Sequence, residues 1–219
     1  MTTPTDVAAF HAAYDSRHPG DHIRLFASVA DAIGPARVLY PGSYVDIAPS
    51  VLFDDVIYVD TDRRAARFFA QTEAVAHLVR RERITTRDAA AGPARLRFHE
   101  ADYRAQLPLA DGSLDLLVSL YAGFVSEHCT RYLASGGWLL ANSSHGDVAM
   151  ATLDRAYVLA AVVTSRAGRY RVRTDDLDRY LVPRRGHPPT VEELHRTNRG
   201  FAYTRNAYAY LFRKVDVPS

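Results

Sequence analysis

Up to Ile33 the apolar positions keep helical spacing. VAAFHAAYDSR reads as a first helix, capped by Thr5 or Asp6 and ended by His18-Pro19-Gly20. HIRLFASVADAI, capped by Asp21, carries Ile23, Phe26, Ala27, Ala30 and Ile33 on one face and stops at Gly34-Pro35. From there the rhythm changes. ARVLY, DVIYVD, ARLRFHEAD, SLDLLVSLY and WLLANSS are short and nearly all apolar, as strands covered on both faces must be. Between them, DRRAARFFAQTEAVAHLVRR predicts one long amphipathic helix, FVSEHCTRYL a shorter one, and Ser135-Gly136-Gly137 a turn. Strands joined by helical crossovers predict an α/β fold with a mostly parallel, doubly wound sheet.

The last third is less regular. DVAMATLDR reads as helix, YVLAAVVTS and GRYRVR as strands, and NAYAYLFRK as a closing strand. The expected organisation is one domain over 1–219: a helical N-terminal cap (1–34), a core (36–145) and a C-terminal part (146–219). A polar excursion at about 174–200 either covers the binding edge as a lid or is a solvated insertion.

Composition narrows the function classes. At 219 residues, 47% hydrophobic and 24% charged, the chain has the profile of an ordinary globular protein. A net charge of +2 does not call for a nucleic-acid partner. The arginines of the last third (Arg166, Arg169, Arg171, Arg173 and others) stand among Asp175, Asp176, Asp178, Glu192 and Glu193, which predicts a salt-paired surface. Cys129 is the sole cysteine, so no internal disulfide forms, and a cytoplasmic setting fits. No apolar run is long enough to span a bilayer, and the first residues lack a signal-peptide pattern. His18 and His22 are separated by Pro19-Gly20, and neither CxxC nor HExxH occurs, so no metal site is expected.

In an open parallel sheet, ligands sit beyond the carboxyl ends of the strands. Those ends are Tyr40-Pro41-Gly42-Ser43, Asp60-Thr61-Asp62, Ala101-Asp102-Tyr103, Ser119-Leu120-Tyr121-Ala122-Gly123 and Asn142-Ser143-Ser144-His145. Asp60, 18 positions after Gly42 (60 − 42), suits a carboxylate that accepts from both hydroxyls of a ribose. His145 is the first candidate base, with Asp147 either its orienting partner or a helix cap. Asp46 is the second. Tyr121, on the loop after the fourth strand, either positions or stacks on an acceptor or forms a wall of the ligand pocket, with His11 and Tyr14 as secondary candidates.

VLYPGS, YVDTD, HEADYRAQLPLADGSLDLLVSLY and RYLASGGWLLANSS resemble the successive motifs of class I S-adenosylmethionine-dependent methyltransferases. The resemblance covers roughly 36–144 and is strongest at LPLADGSLDLLVSL and LASGGWLLAN. It implies a Rossmann-like fold with a terminal antiparallel strand and S-adenosyl-L-methionine as cofactor. Tyr40, Gly42 and Ser43 would form the loop, and Asp60 with Thr61 would serve the ribose. Asp102 would bind the adenine amino group, Tyr103 would lie beside the ring, and Ser119 and Leu120 would line the sulfonium end. The chain departs from the family in the glycine loop, where Tyr40, Gly42, Tyr44 and Asp46 stand in the slots of acid-x-Gly-x-Gly-x-Gly. Asp46 there either meets the cofactor's ammonium group or caps the short helix beginning near Pro49. The implied activity is methylation of a small molecule. Two alternatives stay open: a cofactor-free enzyme for displacement or elimination, and a non-catalytic methyltransferase-like subunit. An oligomer or a partner subunit is compatible with each.

Overall fold

The protein is α/β, with a mostly parallel eight-stranded sheet and flanking helices. The computed structural model describes residues 4–16, 19–86, 92–184 and 186–217. The chain divides into two compact units, Met1–Asp102 and Tyr103–Ser219.

In the first unit, helices α1 (Pro4–Asp15) and α2 (Asp21–Ile33) precede β1 (Arg37–Pro41), α3 (Ala48–Leu52) and β2 (Asp55–Asp60). Then come α4 (Arg63–Phe69), α5 (Thr72–Thr86) and β3 (Arg95–Glu100). The strands lie in the order β3-β2-β1, all parallel, with Tyr40 beside Tyr58 and Tyr58 beside Phe98. Val38, Leu39, Val56, Ile57 and Val59 are fully buried, as their unbroken apolar runs require. Both expected N-terminal caps move. Thr5 and Asp6 fall inside α1, which begins at Pro4. Asp21 is the first residue of α2, with Gly20 in left-handed backbone at the cap. His18 of the expected breaker lies outside the described residues.

The long helix expected over 62–81 is two. Gln71 N–H bonds to Phe68 O (3.1 Å), a tight closure that ends α4 before Thr72 opens α5. The bend serves adjacent aromatics with different partners. Phe69 stacks on Tyr58 of β2 (4.8 Å) and Phe98 of β3 (4.7 Å), while Phe68 faces Phe10 and His11 of α1. Offset aromatic pairs of this kind add about 0.5–1.5 kcal/mol beyond area burial.

In the second unit, β4 (Leu114–Ser119), α6 (Val125–Cys129), β5 (Leu133–Ala141), α7 (Asp147–Leu153), β6 (Tyr157–Arg166), β7 (Arg169–Arg173), α8 (Val191–Thr197) and β8 (Ala209–Lys214) follow. The order is β4-β5-β8-β6-β7. β4 and β5 are parallel, and β8 inserts antiparallel between β5 and β6, with β7 antiparallel outside β6. The expected turn at Ser135-Gly136-Gly137 is instead a bulge inside β5. Leu133 pairs with Leu114, whereas the next β5 partner, Trp138, pairs with Leu116. A Cβ on Gly137 would lie 2.7 Å from Leu133 Cδ1 and 2.9 Å from Ala134 O, so only glycine lets the strand double back this closely. Lys214, at the end of β8, donates from Nζ to Thr130 O (3.0 Å) and Leu133 O (2.6 Å).

One buried cation ties α5 to α3. Arg83, 3% exposed, donates to Ser50 O (2.8 Å) and Phe53 O (3.1 Å), satisfying carbonyls at the end of α3, and pairs with Asp54. Asp54 is 71% exposed, so the partners are unequal. Arg83→Met should cost about 2–4 kcal/mol, because it strands buried carbonyls, whereas Asp54→Asn should cost less than about 1 kcal/mol. Urea unfolding of the two variants measures the difference.

Candidate functional site

Within the first unit, the loop from Gly42 to Ile47 lies between β1 and α3. Gly42 (φ 65°) donates its N–H to Val59 O of β2 (2.8 Å). Two residues on, Tyr44 also adopts left-handed backbone (φ 48°), a region in which a non-glycine residue costs about 1–2 kcal/mol. Asp60 holds it there: Oδ2 accepts Tyr44 N–H at 2.7 Å and Oδ1 accepts Asp62 N–H at 2.8 Å. Tyr44, though not a glycine, thus holds backbone that suits one.

The backbone at position 44 aims its ring at α1 and α4. Tyr44 meets Tyr14 (5.7 Å) and Phe10 (6.2 Å) edge-on, and the Arg64 guanidinium lies 5.2 Å from its centroid. His11 stacks on Phe68 at 6.1 Å, and burial lowers its pKa below the usual histidine value against the raising effect of Asp46. An aromatic cap thus covers the loop.

Beneath it sits a buried polar cluster. Asp46, 2% exposed, accepts from His22 Nδ1 (2.5 Å) and Tyr40 Oη (3.2 Å) through Oδ2, and from Ala48 N–H (3.0 Å) through Oδ1. Burial opposes the charged form of His22, but the charge and hydrogen bond of Asp46 outweigh it, and the ring's pKa is raised. Burial, then the charge of Asp46, pushes the Tyr40 phenol far up, so Tyr40 keeps its proton and donates it to Asp46. Asp46 therefore both holds the first amide of α3 and is half of a buried ion pair.

The sequence-derived candidates of the first unit gather here in part. Tyr40, Gly42, Ser43, Asp46 and Asp60 meet around the loop. Thr61 is exposed, and Asp102 is half-buried two residues beyond the end of β3. Ser43 is buried, and its hydroxyl has no hydrogen-bond partner among the described residues.

Those of the second unit gather around the loop after β4. Ser119 and Leu120 are buried at the strand's end. Tyr121 (φ 62°) is 53% exposed, with its hydroxyl 3.5 Å from that of Tyr208. The Tyr103 hydroxyl donates to Gly123 O. His145 is half-buried, with its Cβ 4.0 Å from where a Gly123 Cβ would stand. The Asp147 carboxylate is neither its orienting partner nor a helix cap. Gly146 occupies the cap, and Asp147 turns inward to accept from Ser126 N–H (3.1 Å) and Ser126 Oγ (2.5 Å). Burial raises the Asp147 pKa against those hydrogen bonds. Among the described residues, no group of three or more His, Cys, Asp or Glu is placed to hold a metal ion, and no helix is long and apolar enough to cross a membrane.

Sequence reasoning missed His22, Arg64 and the Asp147–Ser126 contact. Helical spacing placed His22 on α2, and nothing in that spacing names a partner 24 residues away.

Solved structures share this architecture. Over 95% of this chain and 96% of its own, a Thermotoga maritima protein superposes with a TM-score of 0.53 at 10% identity; it is described as an S-adenosylmethionine-dependent methyltransferase, "possible histamine N-methyltransferase". The fold is that of the class I methyltransferases. The N-methyltransferase NodS of Bradyrhizobium japonicum, solved with S-adenosyl-L-homocysteine, aligns over 90% of this chain and 87% of its own (10% identity, TM-score 0.49). A Methanococcus maripaludis structure assigned to the same enzymes aligns over 65% of this chain at 16% identity and a TM-score of 0.46. The chain spans 64% of that protein's length. No family model and no curated protein matches the chain in sequence.

In this methyltransferase fold the His22–Asp46 pair makes stability depend on pH. Because the folded pKa of His22 lies above 6.5, the pair's contribution is full below about pH 6.5 and lost as pH rises through the folded value. His22→Asn should therefore destabilise by about 1–2 kcal/mol at the acid end and by progressively less in alkali. Denaturation of both proteins from about pH 5.5 to about pH 9 gives the difference.

Proposed function

We propose that the protein is a cytoplasmic S-adenosylmethionine-dependent methyltransferase acting on a small molecule. The observation that carries the reading is the Asp60 clasp: the loop keeps left-handed backbone at Gly42 and at Tyr44, where the glycine itself is gone.

The residues present fit the group. Asp60 has two oxygens and about four acceptor sites, of which the two backbone amides use one on each oxygen. The remaining capacity suits ribose hydroxyls. The unpartnered Ser43 hydroxyl offers a further polar contact within the loop. Asp102 would accept from the adenine amino group. When bound, S-adenosylmethionine supplies an already activated methyl group on its sulfonium. The protein's part is then to bind, align and exclude water, and orientation supplies most of the rate. Phe10, Tyr14 and Tyr44 provide the apolar cover. His145 and Tyr121, on either side of Gly123 in the second unit, are assigned to the acceptor, His145 as its base. Segment 174–200 is assigned as the acceptor's cover. Its Gly200 N–H bonds to Ser144 O (3.1 Å), and His195 Nε2 meets Glu127 Oε2 at 2.9 Å.

A cofactor-free enzyme is the second reading, favoured by one observation. Asp46, in the third glycine slot, sits with His22 and Tyr40 in an arrangement able to move a proton. Calorimetric titration with S-adenosylmethionine and S-adenosylhomocysteine separates the two. The methyltransferase reading expects binding, with Asp60→Ala weakening it by about 1.5–3 kcal/mol, the scale of hydrogen bonds to a charged group. It also expects only a moderate loss of turnover for Asp46→Asn. Absent binding together with an inactive Asp46→Asn enzyme would establish the second reading.

A further inference from the structure

The β6–β7 hairpin of the second unit carries a basic cavity that methyl transfer does not use. It is open, about 590 Å3 in volume, and lined by Thr164, Arg166, Ala167, Arg169, Arg171 and Arg173. The strand register explains its composition. Arg169 pairs with Arg166, Arg171 with Thr164 and Arg173 with Val162, and directly opposed residues of an antiparallel pair project from one face. Tyr170 and Val172, half-buried, alternate onto the other face.

The expected salt pairing reaches only one end of this face. Arg173 pairs with Asp175 (2.5 Å), an exposed contact of small worth. Arg166, Arg169 and Arg171 are exposed and meet no carboxylate among the described residues. In a chain with 27 basic and 25 acidic residues, a face holding four arginines and one aspartate is a local excess. Charges on an edge strand also block edge-to-edge pairing. That purpose is met by charges scattered along an edge, whereas these line one concavity.

We infer that this cavity binds a chain of phosphodiesters, that of a single-stranded nucleic acid. Arg169, Arg171 and Arg173 repeat every second residue of an extended strand, at intervals of about 6.8 Å, so the row runs about 14 Å. That interval approximates the separation of successive phosphates on an extended single strand, and the row is longer than a diphosphate. Guanidinium groups meet phosphate oxygens in two-pronged fashion. No aromatic ring lines the cavity, so recognition is of backbone and indifferent to sequence.

Fluorescence anisotropy tests this with the full chain and a fluorescein-labelled single-stranded RNA of about 12 mixed-sequence nucleotides. With three to four phosphates neutralised, log affinity should fall with log salt at a slope of about −2 to −3. Replacing Arg166, Arg169 and Arg171 together by serine should weaken binding at least about 20-fold and lower the slope by about 2, at an unchanged unfolding midpoint. Arg80→Ser with Arg81→Ser, on α5, should leave affinity as it was. Absent binding at about 100 μM protein in low salt would overturn the inference, as would a triple variant that binds like the wild type. Inorganic tripolyphosphate displacing the RNA as effectively as unlabelled RNA does would also overturn it, in favour of a small oligophosphate site.

Discussion

Much of the first unit hangs on one carboxylate. Asp60 reaches from the end of β2 to the amide of Tyr44 and pins a tyrosine in backbone that suits glycine. The strain of that conformation is offset by a charge-assisted hydrogen bond. Once the backbone is fixed, the ring has no freedom about its origin, and it meets α1 at Phe10 and Tyr14 and α4 at Arg64. The packing of the first helix over the loop is thus downstream of a contact between two strand ends.

Asp46, two residues further on, poses a different problem of burial. A carboxylate at position 46 is fully desolvated, which is unfavourable unless every lone pair is served and the charge is countered. Ala48 N–H, Tyr40 Oη and His22 Nδ1 serve it, and the raised pKa of His22 keeps the counter-charge near neutral pH. Tyr40 stands where the family has an acid, and Asp46 where it has a glycine.

Most of the fold was legible because it follows from short-range rules. Apolar runs such as VLY and VIYV admit only a doubly covered strand, and the crossovers between them fix parallel pairing. Boundaries failed where tertiary contacts override local preference. DRRAARFFAQTEAVAHLVRR has one helical period, yet Phe68 and Phe69 answer to different partners and the chain bends after them. SGG is a turn by composition, yet packing of Leu133 against Gly137 keeps it inside a strand. At the candidate site, strand-end logic picked out Gly42, Ser43 and Asp60, which meet around one loop. It could not see His22, because a hydrogen bond across 24 residues leaves no trace in periodicity. It misjudged Asp147, whose inward turn to Ser126 depends on a helix from elsewhere in the chain.

Lys214, at the end of the closing strand, is the sole lysine of the chain, and its ammonium is shared between the backbone carbonyls of Thr130 and Leu133. Reagents that acylate amines, and crosslinkers built on them, therefore meet one side chain, half-buried and already engaged. In the folded state such chemistry would leave almost the whole surface unmarked. Loosening of the closing strand would make that one amine newly reactive, a built-in reporter of the second unit's integrity.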